Sequence, residues 1–409
     1  MENDFREEDL ATVAIGNPSH RFSRPLKIEQ AGDSSDGVDS ISSLPDDILH
    51  RILSFFPTNF TIRTSVLSKR WRNVWSESPH LSFDHHGISS KSINETLNNY
   101  SAIKITSFHL LTSLLNKIHF VNSWIEFAIS HGAVNLSLEF RDSRVRDYKF
   151  PDFFYTNSSV KQLLINVGPV ELIPSCNVTW TSLKYLSLSC CELSDESFPK
   201  ILSVCPILET LRLHNYNSVK CLDLSQLLHL RRLDIDCCNT IREPMKIMAP
   251  HIQYLRLRGQ CTLLDVSSLI EANVDSSSVN YFFHSISYHE AEPLKLVMVQ
   301  AMLEKLQNVD KLTLGVEFLR WDCVNSYLKK QCWRLIDEVF PTSWKYKVVK
   351  PKVMASFMEL LLANTRTLET LVVQLGSCID RSRFEELFQI AITLSQNNKV
   401  SILLKRSGG

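Results

Sequence analysis

A spacing narrows the fold more than any other feature of this chain. From Ala133 onward the pattern apolar-x-x-apolar-x-apolar recurs: Ala133 with Leu136 and Leu138, Val160 with Leu163 and Ile165, Leu183 with Leu186 and Leu188, Leu208 with Leu211 and Leu213, Leu230 with Leu233 and Ile235, and Ile252 with Leu255 and Leu257. Successive starts lie 27, 23, 25, 22 and 22 residues apart. A degenerate unit follows at Leu269 (Ala272, Val274), and others recur at Val309 (Leu312, Leu314) and Leu368 (Leu371, Val373) after long insertions. Each unit holds one short strand whose alternate residues point into a shared core. The rest of the unit returns the chain to the next strand, parallel to the last. No unit buries its own apolar face, so only the stack is stable. The pattern predicts an α/β solenoid, a curved parallel sheet with helices and loops outside it.

Upstream, Ile41–Trp75 reads as two or three short helices with more apolar surface than they can bury among themselves. Pro45 suits a first helical position, and Asp46 and Asp47 suit the positive helix end. Ile48, Ile52, Phe55 and Phe56 recur at helical spacing, with Leu49, Leu53 and Phe56 as a second stripe beside them. Pro57 ends that helix, Ile62, Val66 and Leu67 form another face, and Ser68 is placed to cap a helix carrying Trp71, Val74 and Trp75. A unit of about 40 residues seldom stabilises itself without disulfides, metal or a partner. On pattern alone it is either the helical cap of a larger domain or a docking module whose second stripe fits a partner's groove.

Leu44-Pro45-Asp46-Asp47-Ile48-Leu49, Ile52-Leu53-Ser54 and Val66-Leu67-Ser68-Lys69-Arg70-Trp71 together resemble an F-box. The form running from Arg63 to Arg72 resembles the plant F-box/leucine-rich-repeat proteins in particular, and the downstream spacing is that of leucine-rich repeats. The resemblance implies binding to a Skp1-type adaptor and, through it, to a cullin–RING ubiquitin ligase. Leu44, Pro45, Ile48, Leu49, Ile52, Leu53, Val66, Leu67 and Trp71 would then be the adaptor-facing or supporting apolar set. It implies a substrate-recognition subunit that does no bond-making itself; the alternative is a scaffold that binds the adaptor without assembling an active ligase. Thr58-Asn59-Phe60-Thr61-Ile62 departs from the Lys-Asp-Ala-type turn of relatives, which leaves the start of the second helix open.

The remaining expectations are organisational. Residues 1–40 are polar and rich in Ser, Asp and Gly, and are expected to be disordered. The F-box spans 41–84, a helical linker or cap 85–132 (with Val121, Trp124, Ile125, Ala128 and Ile129 as one face), the repeats 133–320, and an irregular C-terminal region 321–409. In that last region Val353, Met354, Phe357, Leu360 and Leu361 mark a helix stopping at Asn364. Phe384, Leu387, Phe388, Ala391 and Leu394 mark another, and Val400, Ile402 and Leu404 an edge strand. Asp275–Leu306 and Trp321–Tyr346 give no readable pattern. The formal net charge is zero, which gives no electrostatic case for nucleic acid. No apolar run is long enough to cross a membrane, and the acidic start is unlike a secretory signal. The 11 Cys are therefore read as reduced thiols in a cytoplasmic or nuclear protein.

No Gly-rich phosphate loop, Gly-x-Ser-x-Gly elbow, His-Glu-x-x-His helix or Cys-x-x-Cys framework is present, so neither an enzyme nor a cofactor is expected. His85 and His86 beside Asp84 have no further ligand at metal spacing, and the adjacent pairs Cys190-Cys191 and Cys237-Cys238 are poorly spaced for zinc. Cys191 and Cys238 instead fall where such repeats place a buried Asn or Cys against the turn backbone. The candidate binding surface is the outward side of the strands. There Tyr185, Arg212, His214, Arg232, Asp234, Tyr254, Arg256 and Arg258 gather Arg and Tyr, favoured anchors at interfaces. The plainer alternative is a solvated strand face whose alternating charges pair with one another.

Overall fold

The computed structural model describes residues 41, 43–84, 88–112, 118–141, 148–168, 170, 172–214, 219–236, 245–259, 261–275, 301–315, 351–375 and 381–406. The expectations for the tail 1–40, for His85, His86, Cys237 and Cys238, and for most of 275–306 and 321–346 lie outside the described residues.

The repeat units supply the strands of a twelve-stranded parallel sheet. In order across the sheet these are β1 (His80–Asp84), β2 (Ser107–Thr112), β3 (Asn135–Phe140), β4 (Gln162–Asn166), β5 (Tyr185–Ser189), β6 (Thr210–His214), β8 (Arg232–Asp236), β10 (Tyr254–Arg258), β12 (Glu271–Asp275), β13 (Lys311–Leu314), β14 (Thr370–Leu375) and β15 (Ser401–Arg406). Strands β7 (Cys221–Asp223), β9 (Met245–Met248) and β11 (Cys261–Asp265) form a separate three-stranded parallel sheet. The main register aligns Leu81, Phe108, Leu136, Leu163, Leu186, Leu211, Leu233, Leu255, Ala272, Leu312, Leu371 and Ile402 in one row. All but the terminal Ile402 are buried in one continuous core. Because side chains alternate across a strand, this row fixes the intervening residues on the opposite face.

The length of each unit selects what lies outside the sheet. Units of 25 or more residues return through a helix: α4 (Ser90–Asn98), α5 (Ile118–Ser130), α6 (Asp152–Tyr155) and α7 (Ser197–Ser203). The two 22-residue units from Leu208 and Leu230, and the shorter one from Ile252, return through β7, β9 and β11. A helix rises about 1.5 Å per residue and a strand about 3.3 Å, so the short units cover the height of the stack only by extending. Helices α8 (Pro351–Asn364) and α9 (Arg381–Asn398) serve the last two units. Gly132, at φ 66°, ends α5: its N–H reaches Ile129 O, and that of Ala133 reaches Ala128 O, a Schellman stop that delivers Ala133 to its core position.

Two boundaries differ from expectation. The stretch 85–132 is not a helical linker: it contains α4, β2 and α5, and the sheet begins still earlier, at β1. Ile105-x-x-Phe108-x-Leu110 is the same apolar pattern with Phe in a Leu position, and all three residues are buried. One unit earlier, buried Ser78 stands where the first apolar residue is expected, before Leu81 and Phe83. At the other end, described residues from Pro351 onward continue the regular stack through β14 and β15 rather than breaking from it.

Candidate functional site

The N-terminal helices are α1 (Asp46–Leu53), α2 (Thr58–Arg63), a 3-10 turn (Thr64–Val66) and α3 (Trp71–Glu77). Pro45 stands one position before α1 as its N-cap, with its carbonyl accepting from the N–H groups of Ile48 and Leu49. Pro57 plays the same part for α2, so the unusual linker Thr58–Ile62 is itself helical. Trp71 N–H lies 3.4 Å from Ser68 Oγ, a long contact just ahead of α3.

The two stripes of α1 part company. Leu49, Leu53, Trp71 and Val74 form a small core of their own, with Leu44 packed against it. Ile48, Ile52, Phe55 and Phe56 face solvent, and Val66 and Leu67 are 87% and 64% exposed. Of the residues singled out from sequence, Leu49, Leu53 and Trp71 thus hold the module together from inside. Pro45, Ile48, Ile52, Val66 and Leu67 are on its surface. Phe55 and Phe56, absent from that set, belong to the same exposed group, as does Phe60, which sequence reasoning overlooked because it falls in the atypical linker. Its ring lies 5.2 Å from the Arg63 guanidinium.

This module is braced internally and against the solenoid. Arg70 pairs with Asp46, closing α1 onto the turn before α3, and His50 Nε2 lies 3.1 Å from Val74 O. Buried Thr58 accepts the Ser82 N–H of β1 at 2.8 Å through Oγ1. Tyr100 donates its hydroxyl to Ser78 O at 2.9 Å, and burial raises that phenol's pKa to about 12. Ser101 and Ala102 donate their N–H groups to Ser76 O. Strand β1 is the first of the sheet, so these contacts cover an edge that would otherwise invite pairing.

On the opposite face of the sheet core, the eight residues singled out as a binding surface sit on four adjacent strands. Tyr185 is on β5, Arg212 and His214 on β6, Arg232 and Asp234 on β8, and Tyr254, Arg256 and Arg258 on β10. Register places Arg212, Asp234 and Arg256 in one row and His214, Asp236 and Arg258 in the next. Asp234 Oδ2 lies 3.6 Å from Arg212 Nε and 3.5 Å from Arg256 Nη1, and Asp236 lies 3.9 Å from Arg258. Arg232 lies over the Tyr254 ring at 4.0 Å, and Arg212 over that of Tyr185 at 5.4 Å. His214 stands 4.0 Å from both Asp234 and Asp236. Burial nonetheless holds its pKa below the usual histidine value: the two carboxylates oppose the shift and Arg212 and Arg256 add to it. Most charges on this face therefore pair with one another. Cys191, in the position that favours a buried Cys, contacts Ser189 O at 3.3 Å, and burial pushes its thiol up to about 12.

A compact helical module with bare apolar side chains, fixed to the first strand of a repeat sheet, defines the class: an F-box joined to a leucine-rich-repeat solenoid. A family model described as the F-box domain matches residues 41–82, and one described as the At1g61320/AtMIF1 LRR domain matches 96–338. F-box/LRR-repeat protein At5g02930 of Arabidopsis thaliana is 49% identical, covering 96% of this chain and 99% of that protein. F-box/LRR-repeat protein At5g02910 from the same plant is 48% identical over 92% and 97% of the two chains. F-box/LRR-repeat protein 25, also from Arabidopsis thaliana, is 57% identical over 64% of this chain and its own whole length. The chain belongs to the F-box/LRR-repeat family.

Proposed function

We propose that this chain is the substrate-recognition subunit of a Skp1–cullin–F-box ubiquitin ligase. The helices around Asp46–Glu77 bind a Skp1-like adaptor, and the strand face around Arg212, Arg232 and Arg256 holds the target protein. The observation that carries the reading is the group Ile48, Ile52, Phe55, Phe56, Phe60, Val66 and Leu67. These seven large apolar side chains are all exposed on a module whose own core is four residues. Covering a large apolar side chain completely is worth about 1.5–3 kcal/mol, so such a face favours a partner. Leu49, Leu53 and Trp71 act through it by holding α1 and α3 in place. The work is done by proximity: a target held on the solenoid raises the effective concentration of its lysines beside the ligase's charged carrier. No residue of this chain makes or breaks a bond, and the place of work is the cytoplasm or nucleus. Among the described residues, no helix is long and apolar enough to cross a membrane.

The test is co-purification with a Skp1-type adaptor and cullin, comparing the wild type with Ile48→Asp and Val66→Asp. Both changes are at exposed positions, so the fold should survive while an unpaired charge enters the interface, at a cost of about 2–5 kcal/mol of affinity. If the wild type fails to capture the adaptor, or the variants capture it equally well, the proposal is wrong. Adaptor capture without cullin would favour the scaffold that assembles no ligase.

A further inference from the structure

We propose that the centre of the strand face is a receptor for an anionic side chain, carboxylate or phosphoryl, on an extended segment of the target protein. This deepens the reading of that face as the target-holding surface, and rests on it.

The arrangement of charge with depth points there. Arg212 on β6 and Arg256 on β10 reach the same carboxylate, Asp234, on the strand between them. The Asp234 side chain is 6% exposed, whereas those of Arg212 and Arg256 are 35% and 34% exposed. The negative charge lies beneath, and a ligand approaching the face meets guanidinium. One carboxylate cannot engage all the N–H donors of two guanidiniums. Both contacts are long, and Arg212 Nε has no hydrogen-bond partner among the described residues although it is buried. Arg232 supplies a third guanidinium. Its register neighbours are Thr210 and Tyr254, neither of them acidic, and the next residue along that row, Glu271, pairs with Lys311 at 2.8 Å. Two guanidiniums thus share one carboxylate, and a third stands one row away on β8 with no acidic register neighbour.

The rest of the face is different. Arg258 is flanked in register by Asp236 and Asp275, so it is balanced from both sides. The outward positions of β1 to β5 carry no Lys or Arg at all. Along the face from β1, positive charge first enters at β6, and further along the outward Lys311 is paired with Glu271. Around Asp234 the positive charge is also held ready. Asp234 anchors two of the guanidiniums from below, and the rings of Tyr185 and Tyr254 support Arg212 and Arg232. Side chains fixed beforehand lose less freedom on binding. A guanidinium fork matches a carboxylate or phosphoryl group in shape as well as charge.

The test uses the full chain bound to its adaptor and three labelled peptides of equal length, rich in glutamate, phosphoserine or glutamine, followed by fluorescence anisotropy. At least one anionic peptide should bind, more weakly as salt rises, and the glutamine peptide should not. Whichever anionic peptide binds more tightly identifies the group. Arg232→Gln should weaken that binding about threefold to fivefold, Arg232→Lys less, and Arg258→Gln hardly at all. Thermal melting confirms that each variant is folded. Equal binding of the glutamine peptide, no binding of either anionic one, or equal losses in Arg232→Gln and Arg258→Gln would overturn the proposal. Adaptor capture is scored on the same samples. Normal capture without anion binding refutes this inference alone, whereas failed capture refutes the ligase reading whatever the peptides do.

Discussion

The helical module and the solenoid spend their apolar residues in opposite ways. In the solenoid, row after row of Leu, Ile and Val disappears into one core running from β1 to the C-terminal helix. In the module only Leu49, Leu53, Trp71 and Val74 are enclosed, while seven large apolar side chains stay outside. The two cores are separate clusters, and the chain bridges them with hydrogen bonds such as that from Ser82 N–H to Thr58 Oγ1. On the function proposed above, stability and partnership are divided: substitutions in the solenoid's buried rows should act on folding, and substitutions on the module's exposed apolar face on adaptor binding.

The sharpest way to break that contrast is a pair of truncations. Leu233→Ala removes a fully buried side chain from the central row, where close neighbours on β6 and β10 leave little room to collapse. We expect a loss of about 2–5 kcal/mol in denaturant unfolding. Val66→Ala, at an exposed site, should stay within about 0.5 kcal/mol of wild type in the same measurement while lowering adaptor affinity. Comparable destabilisation by the two would show that the division is not real.

Leu53→Ala opens the module's own core, and a loss of about 2–3 kcal/mol is expected. Because this core is separate, the effect should be local. Hydrogen exchange should quicken across Asp46–Leu53 and Trp71–Glu77, with β5 to β10 staying protected. Faster exchange through the whole sheet would mean that the two regions unfold as one.

What could be read from sequence follows the same division. The repeat was legible because a parallel sheet repeats its demand for an apolar residue at the same offsets, so Leu186, Leu211, Leu233 and Leu255 announce one another. It became illegible where chemistry substituted for pattern: Phe108 fills a Leu position, and Ser78 is buried with its backbone oxygen bonded to Tyr100. The outer sheet of β7, β9 and β11 was hidden because unit length, not composition, forces those segments to extend. In the module, the two stripes on α1 were visible, but only the fold shows which faces inward. Phe60 is not legible because it falls in the atypical linker, where Pro57 both follows the end of α1 and opens α2. On the strand face, the same eight residues were legible as neighbours, while the depth of Asp234 beneath its arginines was not, since depth depends on side-chain packing.

The bridge between the regions gives a smaller test. Thr58→Val keeps the shape but removes the acceptor for Ser82 N–H, leaving a part-buried donor unsatisfied. A loss of about 1–2 kcal/mol is expected, with adaptor affinity retained because Thr58 is buried beneath the module. Thr58→Ser, which keeps the oxygen, should restore most of it. If Thr58→Val is neutral, the module is held by its apolar contacts alone.

The mildest test is acidification, which acts on the sheet face and spares the apolar module face. His80, His109 and His214 all have pKa values below the usual histidine value, each chiefly through burial. For His109 the carboxylates of Glu139 and Asp84 oppose the shift without reversing it, and its Nδ1 lies 3.0 Å from Ser137 Oγ. A folded-state pKa below the unfolded value of about 6.5 means that the unfolded chain takes up protons first. The stability these neutral rings provide is complete above that pH and is lost as pH falls through their folded values. The melting temperature should therefore decline on going from neutral pH into the mildly acidic range, and His109→Gln, which can keep a hydrogen bond to Ser137, should flatten part of the decline. A melting temperature that rises on mild acidification would mean that the carboxylates around His109 and His214 outweigh burial, and that the strand face stores its histidines charged rather than neutral.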